Sequence, residues 1–177
     1  MSEQMLGGVL SREQIRALVE RQEQPLLADY IDLDTQIQPN GVDLTLREVS
    51  RHSGAGAIGT DSADRVLPDL EPLAFDTDGW LSLEPGCYHI LYNEVVDIPE
   101  TLMAFGRPRS SLNRCGVTIH TAVWDAGYTG RSTSMLVVSN PAGFRVQRDS
   151  RVMQLVFVGM SEAPAEGYRG RYHLENM

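Results

Sequence analysis

The sequence predicts an all-β domain preceded by one short helix, and two observations support this fold class. From residue 42 onward, short runs rich in Val, Ile, Tyr, Phe and Thr are separated by turns of Gly, Pro and Asn. No helical pattern interrupts these runs, and short strands at such spacing are typical of sandwiches, jelly rolls and barrels. The length of 177 residues and the apolar content of 42% suit one domain, residues 1–177, with a proper core.

The one well-marked helix lies near the N-terminus. The pattern Ser11-x-x-Gln14 is that of a capping box, and apolar residues at helical spacing follow it. We therefore predict a helix from about Arg12 to Gln22, within an N-terminal appendage formed by residues 1–25.

Seven runs have the composition of strands, and turn residues bound each of them. The Gly-, Ser-, Ala- and Asp-rich stretch His52–Arg65 is predicted to be a surface loop or hairpin tip. The predicted strands are Val42–Val49, Cys87–Ile98, Leu102–Phe105, Val117–Trp124, Ser134–Ser139, Phe144–Gln147 and Arg151–Gly159.

The charged residues exclude several classes of function. All 15 basic residues are Arg, so the lysine of a Walker A loop, of a protein kinase or of a Schiff-base enzyme is missing. Residues 1–100 contain 6 Arg against 19 Asp and Glu, a net charge of −13, whereas residues 101–177 contain 9 Arg against 5, a net charge of +4. The net charge of −9 argues against general binding of nucleic acid. The Arg-rich residues 101–177 could still bind one compact anion. The alternative to anion binding, for any single Arg, is that it lies on the surface and serves only solubility.

Cysteine and histidine give no metal signature. Cys87 and Cys115 form no C-x-x-C pair, the four histidines are scattered singly, and a structural zinc site needs about four clustered ligands. We expect both cysteines to be buried thiols in a reducing compartment. Because the sequence lacks a membrane-length apolar stretch and a secretory signal, we expect a cytoplasmic protein without membrane contact.

Two neighbouring segments carry side chains suited to chemistry. Arg109, Ser110, Ser111 and Arg114 offer charged and hydroxyl donors that fit phosphate oxygens. Asp125 follows an apolar run and begins a Gly-containing turn, where a carboxylate can polarise a water or bind a sugar hydroxyl. Each segment also has an ordinary structural interpretation, since both compositions are common in turns.

Four motifs in one order make the chain recognisable. Together they resemble the dUTPase / dCTP deaminase superfamily, and most closely its archaeal-type dUTPases, from about Leu10 to Tyr172. Those dUTPases also share the segment Glu94–Pro99 and the run Tyr168–Tyr172. The four motifs are Gln38-Pro39-Asn40-Gly41-Val42-Asp43-Leu44, Arg109-Ser110-Ser111-Leu112, Trp124-Asp125-Ala126-Gly127-Tyr128-Thr129-Gly130 and Arg151-Val152-Met153-Gln154-Leu155.

The resemblance implies a distorted β jelly roll that assembles as a homotrimer, with active sites where subunits meet and Mg²⁺ carried on the triphosphate. It gives Asp125 the catalytic role, in contact with the deoxyribose 3′-hydroxyl and the attacking water, and Asp43 a supporting role. It assigns substrate binding to Arg109, Ser110, Ser111, Arg114, Gln154, Tyr168 and Arg171, the last two within a C-terminal segment, residues 160–177, that closes over the nucleotide.

The activity implied is hydrolysis of dUTP to dUMP and pyrophosphate. The alternative is dCTP deaminase, alone or combined with hydrolysis, which needs a carboxylate beside the base. In similar deaminases a Glu lies five residues after the last Gly of the aspartate turn, and in this sequence that position is Met135. The stretch 131–143 contains no Asp or Glu, which favours the diphosphatase.

Two departures from the family keep a third interpretation open. After Tyr172 the chain ends in His173–Met177 instead of a Gly- and Ser-rich tail, and Val42 stands where many dUTPases have a Tyr that helps to exclude ribose. A shortened closing segment also suits a nucleotide-binding regulator without catalysis. The sequence therefore predicts hydrolysis of dUTP more firmly than it predicts discrimination against UTP.

Overall fold

The computed structural model describes residues 7–177, and strands dominate it. Within these residues the helices are α1 (Arg12–Val19), α2 (Leu33–Gln36) and α3 (Ser110–Arg114), and a 3₁₀ turn spans Ser62–Asp64. In chain order the strands are β1 (Gly8–Val9), β2 (Leu27–Ala28), β3 (Ile37–Gln38), β4 (Gly41–Ser53), β5 (Asp69–Pro72), β6 (Trp80–Leu83), β7 (Gly86–Tyr92), β8 (Val95–Asp97), β9 (Leu102–Pro108), β10 (Val117–His120), β11 (Val123–Trp124), β12 (Thr129–Gly130), β13 (Thr133–Val138), β14 (Phe144–Gln147) and β15 (Arg151–Gly159). The predicted all-β fold with a short N-terminal helix is confirmed.

The strands form curled antiparallel sheets. The main sheet follows the path β10-β13-β7-β4-β15-β9-β11, with β1 on β15 and with β3 and β5 on β4; the smaller sheets are β12-β8-β2 and β14-β6. The long strand β4 changes partner along its length, from β15 to β7 and then to β5. Irregular register on β4 and β15 accompanies these changes, and such bulges bend a sheet. The result is the curled arrangement expected of a jelly roll.

One apolar core lies between the curled layers. Alternate residues of the longest strands point into it, among them Leu44 of β4, Tyr92 of β7 and Phe157 of β15, all fully buried. Because a slip of one residue would turn every such side chain outward, the core fixes the register of these strands. In that register, Gln154 of β15 lies opposite Asp43 of β4 and opposite Arg107 of β9. The core thus sets three of the motif-bearing strands side by side.

The N-terminal helix begins where the sequence predicts and ends earlier. Ser11 forms the expected capping box with Gln14, since each side chain bonds the other residue's backbone N–H. The apolar stripe of α1 is buried against the sheets, and the backbone N–H of Leu10 bonds the carbonyl of Phe157 at 3.0 Å. The helix stops at Val19, short of the predicted Gln22.

Two of the predicted strands are each divided in the structure. The run Cys87–Ile98 is interrupted at Asn93 and Glu94, whose side chains turn to Thr45 of β4 instead of continuing the ladder. The run Val117–Trp124 is broken at residues 121–122, because its halves pair with β13 and with β9 respectively. Strands β4 and β5 pair as a hairpin, and most of the stretch His52–Arg65, predicted to be a surface loop or hairpin tip, lies in the loop that joins them.

The expectation of buried cysteines is wrong. Cys87 and Cys115 are free thiols, and both are exposed. Cys87 precedes the buried Tyr88 on β7, so the alternation of the strand directs it outward. Cys115 follows directly on the last turn of α3.

None of the helices in residues 7–177 has the length and apolarity needed to cross a membrane.

Candidate functional site

Two arginines converge on one buried carboxylate where β4, β9 and β15 meet. Asp43 of β4 is almost fully buried, and its Oδ2 lies 3.1 Å from Nε of Arg109 and 3.4 Å from Nη1 of Arg151. The backbone N–H of Arg109 also bonds the carbonyl of Val152 at 3.1 Å. Both arginine side chains remain about one-third exposed, at 32% and 33%. Asp43 therefore supports two partly free arginines at the surface.

Burial raises the pKa of the Asp43 carboxyl, while the charges of Arg109 and Arg151 oppose this shift. Direct contact with two guanidinium groups favours the ionised form of this carboxyl. Two cations around one anion leave a net positive charge at this edge. The edge is suited to a second anion from outside.

Hydroxyl side chains follow Arg109 along the chain, and the amide of Gln154 lies on β15 opposite Asp43. Ser110 and Ser111 are exposed in the first turn of α3, and Nη1 of Arg114 lies 3.4 Å from Oγ of Ser110. Gln154 lies over Gly41, where a Cβ would come within 2.8 Å of its Nε2, so a side chain at position 41 would displace it. We call this group the arginine–serine cluster; its members are Arg109, Ser110, Ser111, Arg114, Arg151 and Gln154.

A tight turn presents Asp125 at the end of β11. The N–H of Tyr128 bonds the carbonyl of Asp125 at 3.0 Å, and two hydrogen bonds tie Gly127 and Tyr128 to Ile98. Gly127 has a φ of +84°, and a Cβ there would lie 2.9 Å from the backbone of Gly167, so both conformation and space require glycine. The side chain of Asp125 is exposed and has no hydrogen-bond or ion-pair partner within residues 7–177. This carboxylate is available to a substrate or a water.

A cavity of about 230 Å³ adjoins Asp125. Its floor is the segment Ala122–Asp125, and aromatic side chains form much of its wall. Two buried polar atoms of lining residues, Nε1 of Trp124 and Oγ of Ser132, lack a hydrogen-bond partner in the part of the chain described. The cavity thus suits a small flat ring with polar edges. Its other lining residues are Tyr128, Thr133, Tyr168, Tyr172 and Glu175.

The C-terminal segment builds one wall of this cavity. Tyr168 packs against Tyr128 with ring centroids 5.9 Å apart, and its N–H bonds the carbonyl of Ala126 at 2.7 Å. Near the chain end, the hydroxyl of Tyr128 donates a hydrogen bond of 2.9 Å to Oε1 of Glu175. Burial raises the pKa of Glu175, although this hydrogen bond opposes the shift. Arg171, by contrast, is exposed and does not line the cavity.

Glu175 is the site residue that sequence reasoning missed. It lies among the last residues of the sequence, and no spacing connects it with the turn that it contacts. Met135, at the position of the deaminase glutamate, lies on β13 opposite His89 and His120 and does not line the cavity. The carboxylates at the cavity are therefore Asp125 and Glu175.

The structure does not bring the cluster and Asp125 together within one chain. Trp124 lies opposite Ala104 near the start of β9, and the Asp125 turn is tied to Ile98, before β9 begins. Arg109 follows the other end of β9. The backbones of Ala104 and Arg109 are about 16 Å apart at about 3.3 Å per residue of extended strand. One chain therefore holds two separate half-sites.

Comparison with known proteins shows which family the chain belongs to. Residues 9–160 match the family model described as dCTP deaminase-like. A protein of Methanosarcina mazei named "Probable deoxyuridine 5'-triphosphate nucleotidohydrolase" is 51% identical over 168 residues, 95% of this chain and 98% of that protein. A protein of Archaeoglobus fulgidus with the same name is 48% identical over 169 residues, 96% of this chain and 98% of that protein.

A solved structure agrees with this placement. The 2'-deoxycytidine 5'-triphosphate deaminase of Agrobacterium tumefaciens superposes with a TM-score of 0.64 at 26% identity, over 88% of this chain. The match spans about half, 49%, of that deaminase chain. On sequence and fold together, the protein is a member of the dCTP deaminase-like family.

Proposed function

We propose that the protein is a dUTP diphosphatase, which hydrolyses dUTP to dUMP and pyrophosphate. The observation that carries this proposal is the exposed carboxylate of Asp125, which has no partner among residues 7–177 and lies beside a cavity that suits a pyrimidine. Relatives about half identical over nearly the whole chain are named for this activity. The proposed unit is one domain over residues 1–177, with 1–25 as its N-terminal appendage.

Each half-site has a part in the proposed reaction. The arginine–serine cluster binds the oxygens of the triphosphate, and Asp125 contacts the 3′-hydroxyl and orients a water toward the α-phosphorus. The water gives a proton to Asp125 as its oxygen bonds to the α-phosphorus, the bond from that phosphorus to the bridging oxygen breaks, and pyrophosphate leaves. Catalysis of this kind depends mainly on positioning and on stabilisation of charge. The segment Ala122–Trp124 reads the edge of the base through its backbone.

Mg²⁺ fits this site as an ion carried by the triphosphate. Within residues 7–177, no group of three or more His, Cys, Asp or Glu side chains is arranged to hold a metal. Mg²⁺ commonly binds through substrate phosphates and only one or two carboxylates. When bound, it neutralises the charge that develops on the phosphates.

The separation of the half-sites supports active sites that are shared between subunits, and the family resemblance implies a homotrimer. Asp125 and Arg109 of one chain lie too far apart to act on one nucleotide's α-phosphate without a neighbour. We propose that the cluster of one subunit meets the Asp125 cavity of the next. Residues 160–177 close the base side, with Tyr168 against the base and Arg171 toward the phosphates.

Deamination of dCTP is a second candidate, and Glu175 favours it. A carboxylate beside the cavity, with its pKa raised by burial, is the kind of group that shuttles protons during water addition to a pyrimidine. The strand that would carry the deaminase glutamate has Met135 instead, and Glu175 is already engaged with Tyr128. We therefore rank hydrolysis first.

One assay tests these functions directly. Purified protein with Mg²⁺ is offered dUTP and dCTP separately, and products are resolved by chromatography. Formation of dUMP and pyrophosphate from dUTP supports the proposal. Release of ammonia from dCTP, without pyrophosphate from dUTP, would replace it with the deaminase. Tight binding of dUTP without any product would indicate a regulator.

A mixing experiment tests the shared site. Arg109→Ala and Asp125→Asn variants are co-expressed, so that mixed trimers form. If each site combines two subunits, about a quarter of the sites in a random mixture regain both intact halves. Activity no higher than that of either variant alone would place both residues in one chain's site.

A further inference from the structure

We propose that Glu175 is a positioning residue that holds the Asp125 turn of its own chain through Tyr128. The inference deepens the proposed function, because Asp125 is the group being positioned. It assigns a role to residues 174–176, which lie outside the four sequence motifs.

The first support is the side-chain contact itself. Oε1 of Glu175 accepts the hydroxyl hydrogen of Tyr128 at 2.9 Å, and Tyr128 is only 6% exposed. Tyr128 belongs to the turn, since its N–H bonds the carbonyl of Asp125. A partly buried hydrogen bond to a carboxylate is stronger than one between neutral groups. Glu175 thus holds the hydroxyl end of the Tyr128 side chain, while the backbone of the same residue closes the turn.

The second support is the docking of the adjacent backbone. The N–H of Leu174 bonds the carbonyl of Thr129 at 2.7 Å, and the N–H of Arg131 bonds the carbonyl of Glu175 at 3.0 Å. The side-chain amide of Asn176 donates to the carbonyl of Arg131 at 2.9 Å. Nε of Arg131 donates to the carbonyl of Asn176 at 3.2 Å. Residues 174–176 are therefore held against the residues that follow the turn.

The third support is that apolar burial does not explain this docking. Leu174 is 56% exposed, and both Leu174 and Asn176 have left-handed backbones, with φ of +61° and +53°. That conformation is unfavourable for leucine. Polar contacts to the turn hold the terminus in place against this cost. The contribution of residues 174–176 to the site is therefore this set of polar contacts, which includes the hydrogen bond from Tyr128 to Glu175.

These contacts tie Glu175 to the Asp125 turn of its own chain. They involve Tyr128, which closes the Asp125 turn, and Thr129 and Arg131, which follow it. Glu175 and Asp125 therefore belong to the same half-site, opposite to the arginine–serine cluster. A tail that closed over a neighbour's turn would instead place them in different subunits.

Single substitutions measure the positioning role. Glu175→Ala is expected to lower kcat for dUTP about tenfold, as the loss of a charge-assisted hydrogen bond would. Glu175→Gln keeps an acceptor for Tyr128 and should stay within about threefold of the parent. Glu23→Ala, the change of an exposed glutamate outside the proposed site, serves as the control and should change nothing. Wild-type kcat in Glu175→Ala would overturn the proposal.

A double substitution separates positioning from general stability. Tyr128→Phe removes the same hydrogen bond, so its effect on kcat should not add to that of Glu175→Ala. Additive losses would contradict the proposed pair. If Glu175→Ala fails to fold, Glu175→Gln and Tyr128→Phe still give the comparison.

Mixed trimers test the assignment to one half-site. Glu175→Ala co-expressed with Arg109→Ala should regain fully active sites, at about a quarter of the total. Co-expression of Glu175→Ala with Asp125→Asn should give no gain, because no Asp125 half remains intact. Recovery in the second mixture would show that Glu175 serves a neighbouring subunit and would overturn the inference. The proposed function fails separately, if the parent protein does not hydrolyse dUTP.

Discussion

The arginine–serine cluster and the Asp125 cavity lie at opposite ends of β9 and are built differently. The cluster stands on long strands and a short helix, and the buried Asp43 holds its arginines. The cavity is made by a two-residue strand, a glycine turn and the chain terminus. One half-site is thus fixed by the sheet framework, and the other by local contacts that bring distant segments together.

This difference suggests how each half should respond to change. A sheet-built cluster loses charge when a residue is replaced but keeps its shape, because the core sets the strand register. A loop-built cavity depends on a few hydrogen bonds, so single losses change its geometry. Substitutions in the two halves test this contrast, and the largest loss is expected at Asp125.

Replacement of Asp125 by Asn removes the carboxylate of the loop-built half. The amide cannot act as a base for water, so we expect kcat for dUTP to fall about 10²- to 10⁴-fold with nucleotide binding retained. Steady-state kinetics and calorimetric titration with a non-hydrolysable dUTP analogue measure the two effects. Hydrolysis at the parent rate would show that Asp125 has no catalytic role.

Replacement of Arg109 by Ala should weaken binding of the triphosphate. Loss of a charge-assisted contact costs about 2–3 kcal/mol, or about 30- to 150-fold in affinity. The Kd for the same analogue gives the measurement, and Arg21→Ala, an exposed arginine outside the cluster, is the control. An unchanged Kd would remove Arg109 from the phosphate site.

Replacement of Glu94 by Gln should destabilise the cluster side of the molecule. Glu94 is fully buried and accepts hydrogen bonds from the N–H of Thr45, the hydroxyl of Thr45 and the amide of Gln36. A glutamine would turn its own donor toward one of these donors, so the free energy of unfolding should fall by about 1–3 kcal/mol. Denaturant unfolding measures it, with the exposed change Glu84→Gln as the control. A stability equal to that of the control would mean that the network is relaxed without cost.

The same residue makes stability depend on pH. Burial raises the pKa of Glu94 above its usual 4.5, so the folded state binds a proton more tightly than the unfolded state does. The contribution of this raised pKa to the free energy of unfolding is therefore complete below about pH 4.5, and it is lost as the pH rises through the pKa of Glu94 in the folded state. The advantage of the parent over Glu94→Gln in thermal unfolding should shrink over that range. If the difference in thermal stability between the parent and Glu94→Gln instead grew with pH, the hydrogen bonds to Glu94 would outweigh its burial and lower its pKa.

Replacement of Arg171 by Ala should have the smallest effect. Arg171 is exposed and has no hydrogen-bond or ion-pair partner among the residues that the structure describes, so its contact with phosphate forms only with substrate bound. We expect KM for dUTP to rise less than about tenfold, as for an exposed charge. Arg169→Ala, its exposed neighbour, is the control. A loss as large as that for Arg109 would mean that the C-terminal segment belongs to the phosphate half of the site.

Much of the fold could be predicted because its signals are local. The capping box at Ser11 marked the helix start, and the strand pattern marked β14 and β15 to the residue. The early end of α1 and the breaks in two predicted strands could not be predicted, because partners distant in the sequence cause them. The exposed cysteines show the same limit, since composition favours burial while the strand face decides it.

The amino-acid sequence alone was enough to establish the family resemblance, the order of the motifs and the residue types able to bind phosphate and orient a water. These follow from side-chain chemistry and spacing, which need no coordinates. The folded chain was needed to learn that Asp43 holds two arginines, that the cluster and Asp125 stand apart, and that Glu175 reaches Tyr128. Such pairings depend on where the curled sheets bring distant segments together, and spacing along the chain does not encode that distance.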